Sequence, residues 1–386
     1  MNKFFFFLIL FAVTKAGAQT SALAIADSLY AVGNYSGAIE KLEESGSRSE
    51  EILLKLARAQ KANGNPAAAL EHYQTVLRSN PGRVLTAVEY AKLLSVTGKL
   101  KTADSIFKKL IKKHPDNPEF YYQLGLVREK QQDSTAMSLY NVAIYLDKSH
   151  QPALIKVSKK ALMEGNLSRA ERLSKQGLEA NPNQVTLVSI LAQAYYYQKE
   201  YDLAVPQFEK LIGFGEGSEF IHSKLGTSYF NLDEYEKAID HFNAALDFED
   251  KNPTTHYNLG KLYALTGEYE NAEGHLLQSI LLKAVTLDGE FTSLGLTYKQ
   301  MGKPKEALLY FNKALKENPE NERVMFERAV VADSYYEDLQ TRMNYYLAYL
   351  EKFEDVGNPD LLLLAERRVK DIRVEIHMNA SDGRTE

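Results

Sequence analysis

The stretch Tyr257–Leu276, YNLGKLYALTGEYENAEGHL, places Gly260 ahead of Tyr263, Gly267 ahead of Tyr269, and Ala272 one helical turn before Leu276. Its Gly260-Lys261 pair invites a phosphate-loop reading, and that reading fails. The G-x-x-x-x that should precede the pair and the Ser or Thr that should follow it are absent. The glycine also falls inside a helical pattern, whereas anions are held at helix N-termini, where free amides converge. Ala272 and Leu276 instead share one face of a helix, as residues four apart do.

The same arrangement recurs along the chain. Ala38, Ala69, Ala103, Ala136, Ala170, Ala204, Ala238, Ala272 and Ala307 are separated by 31, 34, 33, 34, 34, 34, 34 and 35 residues. Four residues after each stands Leu42, Tyr73, Phe107, Tyr140, Phe208, Phe242, Leu276 or Phe311, with Ser174 as the exception. An earlier helix in each copy keeps a small residue at Ala26, Ala57, Ala91, Gly125, Ser158, Ala192, Gly226, Gly260, Gly295 and Ala329. A position that is always small is one where another helix approaches closely. Gly33, Gly64, Gly98, Gly165, Gly267 and Gly302 stand between the two helices, where glycine takes the left-handed conformation that ends a helix. Asn80-Pro81, Asn181-Pro182 and Asn318-Pro319 are expected to close copies and start the next helix. Ala238→Leu should overpack a helix pair, at a cost of about 1 to 3 kcal/mol.

These residues resemble the tetratricopeptide repeat, and the resemblance covers residues 20 to 353 in ten copies. The fourth copy lacks its turn glycine. In the tenth, Thr341 stands where alanine is expected, while Ala329, Tyr345 and Ala348 keep the register. The resemblance implies an all-α, right-handed solenoid of about ten helix-turn-helix copies over residues 19–353. One such pair cannot bury its apolar face alone, so the array needs neighbours and a cap. Residues 354–378 supply a capping helix, with Leu362, Ala365, Val369, Ile372 and Ile376 at helical spacing. Residues 379–386 have no apolar anchor and are expected to be disordered.

Lys3, ten apolar residues from Phe4 to Val13 and the small residues Ala16 and Ala18 read as a secretory signal peptide, residues 1–18, cut after Ala18. The apolar run spans about 15 Å as a helix, too short to cross a bilayer. The short Phe-rich leader resembles those of exported Bacteroidota proteins, which implies a periplasmic location. The 386 residues contain no cysteine, so packing alone must stabilise the fold. A formal charge of -5 argues against nucleic acid as a partner.

No catalytic constellation is apparent: there is no G-x-S-x-G elbow, and Asp233-Glu234 and Glu337-Asp338 fall in turns. His222 and His256 occupy equivalent positions of the first helix one copy apart, and His72, His241 and His275 share a position on the second helix, so neighbouring copies would bring equivalent histidines together. Zinc needs three or four ligands, and packing is the expected role of these histidines; no metal or other cofactor is implied.

In proteins of this repeat family the first helix of each copy lines a concave, ligand-binding surface. Carried onto this chain, that surface comprises Ser189, Gln193, Tyr196, Tyr197, Phe220, Ser223, Lys224, Thr227, Phe230, Tyr257, Asn258 and Lys261. Aromatic rings beside hydrogen-bonding groups suit a protein or extended peptide. Some relatives grip a carboxylate with a Lys-Asn-Asn-Lys-Arg set, of which only Lys224, Asn258 and Lys261 have counterparts here. Charge is uneven: Arg48–Pro115 holds 13 Lys or Arg against 5 acids, and Glu216–His275 holds 4 Lys against 12 acids. The basic stretch offers a candidate patch at Lys55, Arg58, Lys61 and Lys92, and the opposed signs favour steering of partners or self-association. The resulting expectation is a non-catalytic envelope scaffold for a protein or peptide. An enzyme-accessory or carbohydrate-binding protein and a homo-oligomeric structural element stand as alternatives.

Overall fold

The computed structural model describes residues 22–283 and 287–382. The leader expected at 1–18 lies outside them. The chain divides into two compact units, Met1–Ile190 and Leu191–Glu386. The first contains α1 (22–31), α2 (Tyr35–Glu44), α3 (Glu50–Ala62), α4 (Pro66–Ser79), α5 (Val84–Val96), α6 (Leu100–Lys113), α7 (Pro118–Lys130), α8 (Ala136–Leu146), α9 (Gln151–Met163) and α10 (Leu167–Ala180). The division falls within α11 (Val185–Gln198). The second contains α12 (Tyr201–Gly213), α13 (Glu219–Asn231), α14 (Tyr235–Phe248), α15 (Pro253–Thr266), α16 (Tyr269–Leu282), α17 (Asp288–Gln300), α18 (Pro304–Glu317), α19 (Glu322–Tyr335), α20 (Leu339–Phe353) and α21 (Pro359–Asp382). No strand occurs among the described residues. The protein is thus all-α, with the helix order of ten helix-turn-helix copies and one further helix.

Close approach explains the small residues. A methyl group added at Gly226 would lie 2.8 Å from Phe242 Cδ2, and one at Gly295 would lie 2.5 Å from Phe311 Cδ1. The partner each time is the large residue four positions after the repeated alanine, so the two periodic signals are two sides of one contact. Tyr73, Phe107 and Tyr140 in the first unit, and Phe208, Phe242 and Phe311 in the second, are buried to within 2% of full exclusion. Each contributes about 1.5 to 3 kcal/mol of apolar burial.

All six turn glycines adopt positive φ, from 68° at Gly302 to 85° at Gly267. Among the described residues, the three non-glycine residues with positive φ, Gln132, Lys199 and Asp233, stand at the same turn in the copies that lack the glycine. The turn geometry is therefore dictated by the packing of the helices rather than by the residue, at a local cost of about 1 to 2 kcal/mol.

Three expectations are corrected. Asn80, Asn181 and Asn318 end α4, α10 and α18, but their prolines lie in the connecting turns, and the next helices begin at Val84, Val185 and Glu322. Prolines do open other helices: Pro66, Pro118, Pro253 and Pro359 each follow an asparagine whose side chain accepts a hydrogen bond from a first-turn amide, and Pro304 opens α18 behind Lys303. In the tenth copy the buried stripe of α20 is Met343, Tyr346, Tyr349 and Phe353 rather than Thr341, Tyr345 and Ala348. Thr341 is occupied in capping, its amide donating to Asp338 Oδ2 over 2.8 Å, and the larger residues bury more surface. Finally, α21 runs through Asp382, four residues beyond the expected end of the cap, because helix propagation needs only local hydrogen bonds. Residues 383–386 lie outside the described residues. Ala365, Val369 and Ile372 seat α21 against α20, as the cap requires.

Candidate functional site

Eleven of the twelve groove candidates fall in the second unit; Ser189 falls in the first. Lys224, on α13, places Nζ 4.4 Å from the centre of the Tyr196 ring, 5.4 Å from Phe220 and 5.7 Å from Tyr197. Lys261, on α15, stands 5.4 Å from the Phe230 ring and 5.6 Å from Tyr257, one helical turn before it. Each ammonium faces the negative side of the rings, an interaction of about 0.5 to 1 kcal/mol where water still reaches it. Tyr197 and Phe220 are exposed, and the other rings are half-buried. Tyr196 also meets the buried Phe208 edge-on at 6.4 Å, and Tyr257 packs against the core around Leu294. Those two rings therefore combine packing with display.

The polar candidates divide by what already engages them. Ser223 donates to Glu219 Oε1 over 2.7 Å, and Thr227 donates to the Ser223 carbonyl over 2.9 Å, so both hydroxyl hydrogens are occupied within α13. Asn258 and Lys261 differ: among the described residues neither the Asn258 amide nor the Lys261 ammonium makes a hydrogen bond or ion pair. They border a pocket of about 30 Å³ with Thr227, Phe230 and Phe242. That volume accepts one water-sized polar atom.

The basic candidates form links rather than an open patch. Lys55 pairs with Asp27 at 2.5 Å, Arg58 with Glu89 at 3.2 Å, and Lys92 with Glu119 at 3.1 Å, each acid lying in an adjoining copy. Glu119 also accepts from Gln123 over 2.9 Å and faces His150 at 3.5 Å. Its carboxyl is held down to about 2, first by the His150 hydrogen bond, against the opposing effect of burial. Lys61 alone of the four makes no ion pair among the described residues. The pairs were discoverable from separations of 27 to 31 residues between opposite charges on successive first helices.

The histidines pair within copies, not between them. His222 Nδ1 lies 3.1 Å from His241 Nδ1, and one copy later His256 Nδ1 lies 3.0 Å from His275 Nδ1. His256 Nε2 lies 3.0 Å from the Asp250 carbonyl oxygen, so that nitrogen carries hydrogen and donates. Its Nδ1 must then accept from His275 Nδ1–H. Tyr229 stacks on His241 and Tyr263 on His275 at 5.4 and 5.5 Å. Among the described residues no three His, Cys, Asp or Glu side chains gather as a metal ion would require.

Tetratricopeptide-repeat family models match residues 23–84, 61–126, 226–267, 253–288 and 290–321. Among curated proteins, the probable biofilm formation methyltransferase WspC of Pseudomonas putida is 29% identical over 116 residues, which is 30% of this chain and 26% of that protein. The BBSome complex member BBS4 of Bos taurus is 25% identical over 169 residues, 42% of this chain and 32% of that protein. The chain thus spans 26% and 32% of the lengths of these relatives. Among solved structures, YrrB, described as a TPR protein with an unusual peptide-binding site, is 19% identical over 48% of this chain and 95% of its own, with a TM-score of 0.45. A tetratricopeptide repeat protein from Parabacteroides merdae is 16% identical over 74% of this chain and 99% of its own, with a TM-score of 0.36.

Proposed function

The chain belongs to the tetratricopeptide-repeat family, and from that premise we propose that it is a binding scaffold without chemistry of its own that holds an extended peptide along α13 and α15. One observation carries this reading: the unengaged donors of Asn258 and Lys261 border a pocket sized for a single polar atom, with the rings of Phe230 and Tyr257 beside them. A peptide carbonyl or carboxylate oxygen satisfies both donors, while its neighbouring side chains cover the rings. The Lys224 ammonium, with Tyr197 and Phe220 exposed around it, provides a second contact one copy earlier. The leader in residues 1–18 supports export, and with it a periplasmic place of work.

Selection from a random peptide display library tests the reading. Binders should be recovered, and the double variant Asn258→Ala with Lys261→Ala should weaken them about tenfold or more through two lost hydrogen bonds. Equal affinity of the variant, or no binders at all, would remove the proposal. Cell fractionation tests the location, and a cytosolic product retaining residues 1–18 would contradict it.

A further inference from the structure

The first unit contains a groove that the peptide surface does not use. Helices α5 and α6, with the end of α4, leave a space of about 660 Å³ with Tyr90, Ile106 and Leu110 in its wall and Lys109, Lys112 and Lys113 at its edge. The three lysines are exposed, and none of them makes an ion pair among the described residues. An apolar wall open to water is unfavourable by about 25 cal/mol for each Å², and three neighbouring cations repel one another. A partner with an apolar tip surrounded by carboxylates would relieve both.

The second unit presents such a tip. Helix α14 ends at Phe248, which is 58% exposed, within the sequence Asp247-Phe248-Glu249-Asp250. Its ring stacks on His222 at 5.7 Å with an interplanar angle of 26°, so it is held outward in one orientation. The three acids are exposed and make no ion pair among the described residues. Carboxylates at a helix C-terminus oppose the helix dipole, so their clustering there brings α14 no local stability. The wider surroundings carry the same signs, eight net positive charges over Arg48–Pro115 and eight net negative over Glu216–His275.

We propose that two copies of this chain associate head to tail, Phe248 of one seating in the lysine-edged groove of α5 and α6 in the other. Knob and groove occupy different parts of one chain, so the contact is heterologous and leaves a free knob and a free groove at the two ends of every assembly that has not closed into a ring. Opposite charges accelerate the encounter and make it sensitive to salt. A second copy is the favoured occupant because the chain itself supplies a tip matching the groove in both polarity and charge.

Sedimentation velocity on the purified protein tests this. The weight-average mass should rise about twofold or more with concentration at about 50 mM salt, and return to that of the monomer at about 500 mM. Lys109→Glu with Lys113→Glu disables the groove and keeps the knob; Phe248→Ser disables the knob and keeps the groove. All three positions are exposed, and unchanged melting of the variants confirms folding. Each variant alone should be monomeric, and an equimolar mixture should form a dimer and stop there. A wild-type monomer at every concentration in low salt, a variant that still assembles, or a mixture that stays monomeric would each overturn the proposal. Uptake of a fluorescent fatty acid by a strictly monomeric wild type would do the same, and would assign the groove to an anionic amphiphile.

Discussion

Gly260 lies so close to Leu276 that a methyl group at 260 would stand 2.6 Å from Leu276 Cγ and 3.2 Å from the Ala272 carbonyl oxygen. Gly260→Ala should therefore destabilise the second unit by about 1 to 3 kcal/mol, because backbone as well as side chain must move. Gly274, on the open side of α16, has nothing within 4 Å. Gly274→Ala should stabilise by about 0.5 to 1 kcal/mol through helix propensity alone. Urea melting of the two variants in parallel checks both signs; equal effects would mean the α15/α16 approach is looser than described.

The left-handed turns allow a complementary test. Lys199 has φ of 64° and Gln132 of 58°, and glycine at either position removes the steric cost. Lys199→Gly and Gln132→Gly should each stabilise by about 1 kcal/mol, and Gly98→Ala, at φ of 80°, should lose a similar amount. Asp233→Gly should gain less, since aspartate tolerates this region better. Thermal melting that ranks these substitutions in the opposite order would contradict the turn geometry.

The histidine pairs predict the acid limb of stability. Burial holds His241 and His275 below the ordinary imidazole range, and the partner histidine adds to the effect; burial does the same at His222, opposed by Asp247. A folded-state value below the unfolded one favours the neutral ring in the fold. That stability is full above about pH 6.5 and is lost as pH falls through the lower folded values. The melting temperature of the wild type should therefore drop between about pH 7.5 and pH 5, and His241→Phe with His275→Phe should flatten the drop. Parallel curves for the two proteins would exclude the pairs as its source.

Glu290 is 2% exposed, and Lys283 Nζ lies 2.8 Å from its Oε1. Lys283→Met leaves a buried carboxylate without its cation and should cost about 3 kcal/mol. Adding Glu290→Gln should recover much of that loss, because the uncompensated charge is then gone. A double variant no more stable than Lys283→Met would show that the uncompensated carboxylate is not the source of the loss.

The copies were legible in the sequence because close helix approach restricts residue size at Gly226, Gly260 and Gly295, and that restriction survives when everything else varies. The turns at Gln132, Lys199 and Asp233 were not, since neighbouring helices impose there a conformation that their residues do not favour. The tenth copy was misread because Thr341 is held by the Asp338 cap, to which its amide and hydroxyl donate, while tyrosines, amphipathic enough for either face, carry the core. At the candidate site the positions of Asn258 and Lys261 followed from the repeat register. The hydroxyls of Ser223 and Thr227 read as available groups, yet each bonds within its own helix. The lysines of the basic patch read as free because a pattern within one copy does not reveal acids in the next.

The ion pairs of Lys55, Arg58 and Lys92 reach no farther than the adjoining copy. So short a reach makes the number of copies a variable that heredity can adjust. Excising one 34-residue period, from Ser218 to Lys251, would bring Gly217 next to Asn252, leave His256 facing His275, and sever no link between copies elsewhere in the chain. Gain or loss of whole periods then alters how much partner the array can span while each surviving copy keeps its neighbours, which gives length a freedom to change that the individual contacts do not have.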